Sequence, residues 1–280
     1  MIAVSTIIAC IISLLISLVL PIAALLFVAA RNKQQGIVSA WLLGAAGFFV
    51  TQMLIRVPVL MVLQSQSWFA AFSQNHLFLY AFSLAFTAGL FELAGRFGVA
   101  KLLKKRGLTF HRSLTAGLGH GGIEAILLVG MTYVNNLIYI FMIQTGSFDA
   151  LLSQVAGNEL AIAQLQTIRE QLLTTSPILF LLGGFERLLA MVSHTAMSTL
   201  VCYGVAHRKT LPCLALCLGI HTLMDLTAGI SLLIGNGLSQ TAAYIIIYTI
   251  LTIAAGASLF ILRKLHCCWQ KEEDSYDSEE

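Results

Sequence analysis

The chain has 280 residues, of which 58% are hydrophobic and only 10% charged, and its formal net charge is +3. A composition this apolar excludes an ordinary soluble domain and implies a protein integral to a lipid bilayer. A hydrocarbon core of ~30 Å takes about 20 apolar residues per crossing helix, and runs of at least that length fall at 2–30, 37–63, 77–100, 114–143, 177–206, 211–234 and 241–262. The predicted fold is therefore all-α and polytopic, with seven transmembrane helices in one bundle over residues 1–265.

The first run lacks a basic start and exceeds a signal-peptide core in length, so it reads as a retained helix. The second carries Arg56 and Pro58 near one end, where a long Arg side chain can snorkel to the headgroups. The third carries Glu92 and Arg96. The fourth carries His120 and Glu124 among Gly117, Gly119, Gly121 and Gly122, which permit close helix approach or access by a substrate backbone. Residues 145–176 form the longest connection. There Phe148, Leu151, Leu152, Val155, Leu160, Ile162, Leu165, Ile168 and Leu172 recur at helical spacing among polar residues, which predicts an amphipathic surface helix. The fifth run opens on Pro177 and carries Gly183, Gly184, Glu186, Arg187 and His194, and the sixth carries His221 and Asp225. After the seventh, residues 266–280 read as an acidic cytoplasmic tail, unstructured from Lys271 to Glu280. Six cysteines show no metal or disulfide framework.

Orientation follows from the basic residues, which are retained on the cytoplasmic side. Arg31 and Lys33, Lys101 to Arg112, Arg208 and Lys209, and Arg263 to Lys271 mark alternate junctions, and the intervening loops hold only Arg169. This places the N-terminus and the 145–176 connection outside and the C-terminus inside. The net charge is the sum of this topology signal, so no nucleic-acid partner is expected. The expected location is a bacterial cytoplasmic membrane, crossed several times. Nothing in the sequence specifies an oligomeric state.

Charge deep in lipid costs several kcal/mol unless it is paired, so ionisable residues in these spans mark a polar site inside the bundle. Glu92/Arg96, His120/Glu124 and His221/Asp225 are each spaced i, i+4, and each pair shares a helix face; Arg187 and His194, at i, i+7, share another. Counted from the cytoplasmic end of each helix, all of these except Arg187 and its neighbour Glu186 fall within roughly 15 Å of depth, with Glu186 deeper. Singly, each has a structural explanation, such as an ion pair between helices or a hydrogen-bonded core histidine. Together, three histidines and several carboxylates are the ligand set preferred by Zn²⁺ and similar divalent ions. Two classes of function fit. A hydrolase would use an ion or a carboxylate to activate water, with Arg96 or Arg187 orienting a carboxylate or stabilising an oxyanion. A non-catalytic scaffold or ion-coupled transporter would use the same groups for structure or as a relay. The absence of paired repeats or broken helices favours the enzyme.

Three segments carry a resemblance: Gly-Leu-Gly-His-Gly-Gly-Ile-Glu-Ala at 117–125, Phe-Glu-Arg-Leu-Leu-Ala-Met-Val-Ser-His at 185–194, and His-Thr-Leu-Met-Asp at 221–225. They resemble the YhfC family of intramembrane metalloproteases, grouped with CAAX-protease and bacteriocin-processing enzymes. The resemblance implies an intramembrane endopeptidase, dependent on metal or on glutamate, that cleaves membrane-associated protein or peptide substrates. It implies His120, His194 and His221 as ligands of a divalent metal, for which Zn is the expectation, or as groups that orient water, with Asp225 as a further ligand or a partner behind one. The superfamily's Glu-Glu-x-x-x-Arg motif is matched at Phe91-Glu92-Leu93-Ala94-Gly95-Arg96 with a single glutamate. That departure leaves Glu92 and Glu124 as two candidates for the general base, with Arg96, Glu186 and Arg187 as further catalytic candidates.

Overall fold

The computed structural model describes residues 1–32, 36–232, 234 and 237–277. Among the described residues, seven helices are long and apolar enough to cross a membrane: Val4–Arg31, Ile37–Gln64, Leu77–Lys104, Phe110–Thr145, Pro177–Ala206, Thr210–Ser231 and Gln240–Lys271. Each coincides with one of the apolar runs, because a helix is the one open-ended element that satisfies its own backbone in lipid. Their outer surfaces carry exposed large apolar side chains, including Leu26, Phe78, Phe141, Leu211, Ile245 and Phe260. Lipid solvates such groups as well as a protein core does.

Contacts within the chain divide it into two compact units, Met1–Ala23 with Ala125–Leu188, and Ala24–Glu124 with Leu189–Glu280. In the first unit Cys10, Tyr133, Ile140 and Leu172 are buried together, with Ile168 and Phe180 packed against them. Two hydroxyls converge on one carbonyl: Ser13 Oγ donates to Phe180 O at 2.7 Å and Tyr133 Oη donates to the same oxygen at 2.6 Å. Gly184 allows this, since a Cβ there would lie 2.6 Å from Ser13 Oγ and 2.8 Å from Ser13 Cα. The amphipathic stretch forms two helices, Phe148–Gln154 and Glu159–Thr174. Asn158 starts the second by accepting from Ala161 N at 3.1 Å, as an N-cap side chain does. Its residues Ile168 and Leu172 join the unit's apolar cluster, whereas Leu160 and Leu173 stay exposed.

In the second unit Ile37–Phe48 packs along Phe110–Glu124, and Leu77–Lys104 along Thr210–Ser231. The core includes Leu103, Met197, Val201, Cys202 and Cys217. The glycines of the fourth span set the spacing. A Cβ on Gly119 would lie 2.0 Å from Trp41 O, and one on Gly121 would lie 2.9 Å from His194 Cβ. Backbone therefore packs against backbone on one side of His120, and a histidine is pressed close on the other. A short helix not anticipated from hydropathy, Ser67–Asn75, precedes the third span, with Phe69 edge-on to Tyr80.

Two expectations are corrected. Arg56 does not merely snorkel: its Nη2 donates to Leu84 O of the third span at 2.7 Å. A guanidinium within reach of a backbone carbonyl takes that acceptor. The tail read as unstructured is helical as far as Asp277, since the last helix runs Gln240–Asp277. Gln270 to Glu273 are good helix formers with no Gly or Pro to stop them. Lys33 and residues 278–280, used in the charge reading, lie outside the described residues.

Candidate metal centre

The site lies entirely within the second unit, and five spans contribute to it. Glu92 and Arg96 come from the third, His120 and Glu124 from the fourth, His194 from the fifth, and His221 and Asp225 from the sixth. Gln52 comes from the second, where the backbone widens into a π-helical stretch at Phe49–Arg56. Such wide turns re-aim side chains and recur at functional sites.

Glu92 is the hub. Its Oε1 accepts from Gln52 Nε2 at 3.1 Å, and its Oε2 accepts from Arg96 Nη2 at 3.1 Å and from His120 Nε2 at 3.0 Å. The same Oε2 lies 3.7 Å from His194 Nδ1 and 3.7 Å from His221 Nδ1. Glu92, Arg96, His120, His194 and His221 are all buried, none more than 3% exposed, so this carboxylate would be untenable without its donors. The rings pack as well as bond. His120 stacks on His194 with centroids 5.6 Å apart, His194 meets His221 edge-on at 5.2 Å, and Phe48 closes the other side of His120 at 5.4 Å.

Arg96 settles the histidine tautomers. Its Nη2 lies 2.6 Å from His194 Nδ1 and its Nη1 3.2 Å from His221 Nδ1. A guanidinium can only donate, so both Nδ1 atoms are acceptors and the protons sit on Nε2. A carboxylate lies close to each: His194 Nε2 is 3.0 Å from Glu124 Oε2, and His221 Nε2 is 3.2 Å from Asp225 Oδ2. Each imidazole thus presents an Nδ1 lone pair inward to Arg96 and has a carboxylate beside its far nitrogen.

Glu92, His194 and His221 could hold a metal ion: each offers a ligand atom, and these atoms lie within 4.8 Å of one another. One carboxylate and two imidazoles are a donor set that suits catalytic Zn²⁺. A carboxylate near the far nitrogen of each histidine is the usual support of such ligands, since it orients the ring and raises its basicity. The residues therefore fit a divalent ion.

The structure gathers Glu92, Arg96, His120, Glu124, His194, His221 and Asp225 around one point, and distributes their parts differently from the sequence resemblance. Glu92 joins two histidines in the metal-competent group, His120 bonds Glu92 from outside it, and Asp225 backs His221. Glu186 and Arg187 belong to the first unit, where they pair with each other. Gln52 was not anticipated. The available signal was a carboxamide in the apolar run Phe48 to Ile55, weaker than that of a charge because a neutral amide is far cheaper to bury.

Fold and site together define a multi-span membrane protein that carries, among its helices, a buried Glu/His/His group able to bind a metal. A profile of the family described as "YhfC intramembrane metalloprotease" matches residues 16–251, and the chain belongs to that family. It is 32% identical over 249 residues, covering 89% of this chain and 92% of the relative, to the "Uncharacterized membrane protein YhfC" of Bacillus subtilis (strain 168). No solved structure matches it.

Proposed function

We propose that this protein is an endopeptidase that cleaves membrane-associated proteins or peptides within the bilayer, working from the side of the membrane that bears its basic junctions. The observation that carries the reading is the convergence of Glu92 Oε2, His194 Nδ1 and His221 Nδ1, with Glu124 and Asp225 behind the two rings. Together with the family's description, this favours peptide hydrolysis over a scaffold or a transporter. A divalent ion held by Glu92, His194 and His221, with Zn²⁺ the best match to the donors, would supply Lewis acidity at the scissile carbonyl.

The chain's own residues divide the remaining work. Glu92 accepts from Gln52, Arg96 and His120 and is also the carboxylate of the metal-competent group, so it serves to organise the site. Glu124 is then the general base: it can take a proton from water and pass it to the leaving amine. It lies 3.0 Å from His194 Nε2, one imidazole removed from the ligand atoms. Asp225 fixes the tautomer and the ring plane of His221. His120 and Gln52 hold the Glu92 carboxylate from two sides. Glu186 and Arg187, paired with each other, are assigned no step.

Purified protein with a membrane peptide substrate tests this directly. His194→Ala and Glu124→Ala should each reduce cleavage by at least a hundredfold while the protein remains folded, and a strong chelator should do the same to the wild type. Unchanged cleavage in both variants removes the assignment. Comparing membrane proteomes of cells expressing wild type and His194→Ala should reveal an accumulating precursor, which identifies the substrate.

A further inference from the structure

The Arg96 guanidinium lies between the very atoms that would coordinate an ion. It reaches Glu92 Oε2 at 3.1 Å, His194 Nδ1 at 2.6 Å and His221 Nδ1 at 3.2 Å. We infer that Arg96 is an internal competitor for the metal site: its guanidinium holds the cation position among Glu92, His194 and His221, and an ion loads only when that side chain withdraws. The inference rests on the metal-dependent reading above and adds a gate to it.

Three features support it. The first is valence: an imidazole Nδ1 has one lone pair, which can accept an N–H or bind a metal but not both. A zinc ion would sit about 2.0–2.1 Å from each nitrogen, and a cationic N–H at 2.6 Å from the same nitrogen would both collide with it and repel it. The second is the lack of an alternative donor. Turning either ring to offer Nε2 would give up its close contact with Glu124 or with Asp225, at 3.0 and 3.2 Å. The third is that the guanidinium is incompletely held. Arg96 lines a small cavity with Gly44, Val99, Ala116, His120, Ser198 and Cys202. Arg96 Nε and Ser198 Oγ are both buried without a hydrogen-bond partner. The guanidinium is therefore anchored through its Nη atoms alone, beside a cavity wall that offers an uncommitted hydroxyl.

The arrangement has a physical rationale. A carboxylate as buried as Glu92 needs a cation beside it at all times. Arg96 supplies one from within the chain, and exchange for a divalent ion keeps the site neutralised throughout. Metal affinity is then lowered by whatever it takes to displace the guanidinium, which makes loading a controllable step.

Titration with Co²⁺, read by its absorption bands in purified protein, tests the inference without reference to cleavage. Arg96→Met should bind Co²⁺ at least tenfold more tightly than the wild type and should gain more thermal stability from the ion than the wild type does. Arg96→Lys, which keeps a charge but lacks the fork that spans both histidines, should also bind more tightly, and it carries the test if the methionine variant does not fold. Adding His194→Ala should abolish binding in either background. A folded Arg96 variant that binds Co²⁺ no more tightly than wild type overturns the inference and leaves the metal-dependent reading standing. So does a structure of Co²⁺-loaded wild type with Arg96 still bonded to both Nδ1 atoms, a measurement that needs no variant. Failure of wild type and variants alike to bind Co²⁺ at this site overturns both.

Discussion

The two units bury polar atoms among apolar helices in different ways. In the first, the fully enclosed groups are neutral hydroxyls, Ser13 and Tyr133 donating to the Phe180 carbonyl, and the Glu186–Arg187 ion pair is only partly buried. In the second, the buried groups are charged, and Glu92 alone draws on Gln52, Arg96 and His120. A hydroxyl in lipid needs one partner, and a lost bond there costs little because other acceptors are near. An ion needs a counter-ion and a full set of donors, so it recruits residues from every neighbouring helix. The number of spans that meet at Glu92 is thus a consequence of its charge.

Substitutions can break this contrast by removing charge, or sharpen it by removing single bonds. The largest effect is expected from Glu92→Ala, which strands Arg96 without its carboxylate: about 3–5 kcal/mol of stability should be lost, read as a fall in the unfolding midpoint of purified protein. Next comes Gln52→Leu. It leaves Arg96 and His120 on Glu92 but removes a hydrogen bond to a charged group, at a cost of about 1.5–3 kcal/mol. Gly121→Ala should cost about 1–3 kcal/mol by overpacking. Because the new methyl would press on His194, cleavage should fall even where folding survives. The smallest effect belongs to the first unit. Tyr133→Phe leaves Ser13 on the Phe180 carbonyl and should cost about 0.6 kcal/mol with cleavage unchanged. A Tyr133→Phe loss as large as that of Glu92→Ala would mean that the two units do not differ in this way.

Much of the site was legible because charge in lipid is anomalous. Glu92, Arg96, His120, Glu124, His194, His221 and Asp225 stand out from their runs, and depth counting set Glu186 apart from them. Their partnerships were less legible. Spacing at i, i+4 correctly pairs Glu92 with Arg96 and His221 with Asp225, since one helix fixes both members. It does not pair His120 with Glu124: His120 bonds Glu92, and Glu124 lies against His194. Both of those contacts cross between helices, where single-helix periodicity is silent. Gln52 escaped for the same reason, with less charge to betray it.

The sequence by itself determined seven membrane-crossing helices, because lipid forces each long apolar run to satisfy its backbone as a helix. It also marked the residues too polar to face that lipid. Only the tertiary structure decided which atoms meet: that Glu92 is the hub, that the histidines turn Nδ1 inward, and that Arg96 lies among the atoms a metal would need. Those relations depend on how deeply one helix can settle against the next, which glycines such as Gly119 and Gly121 permit through contacts with residues distant in the chain.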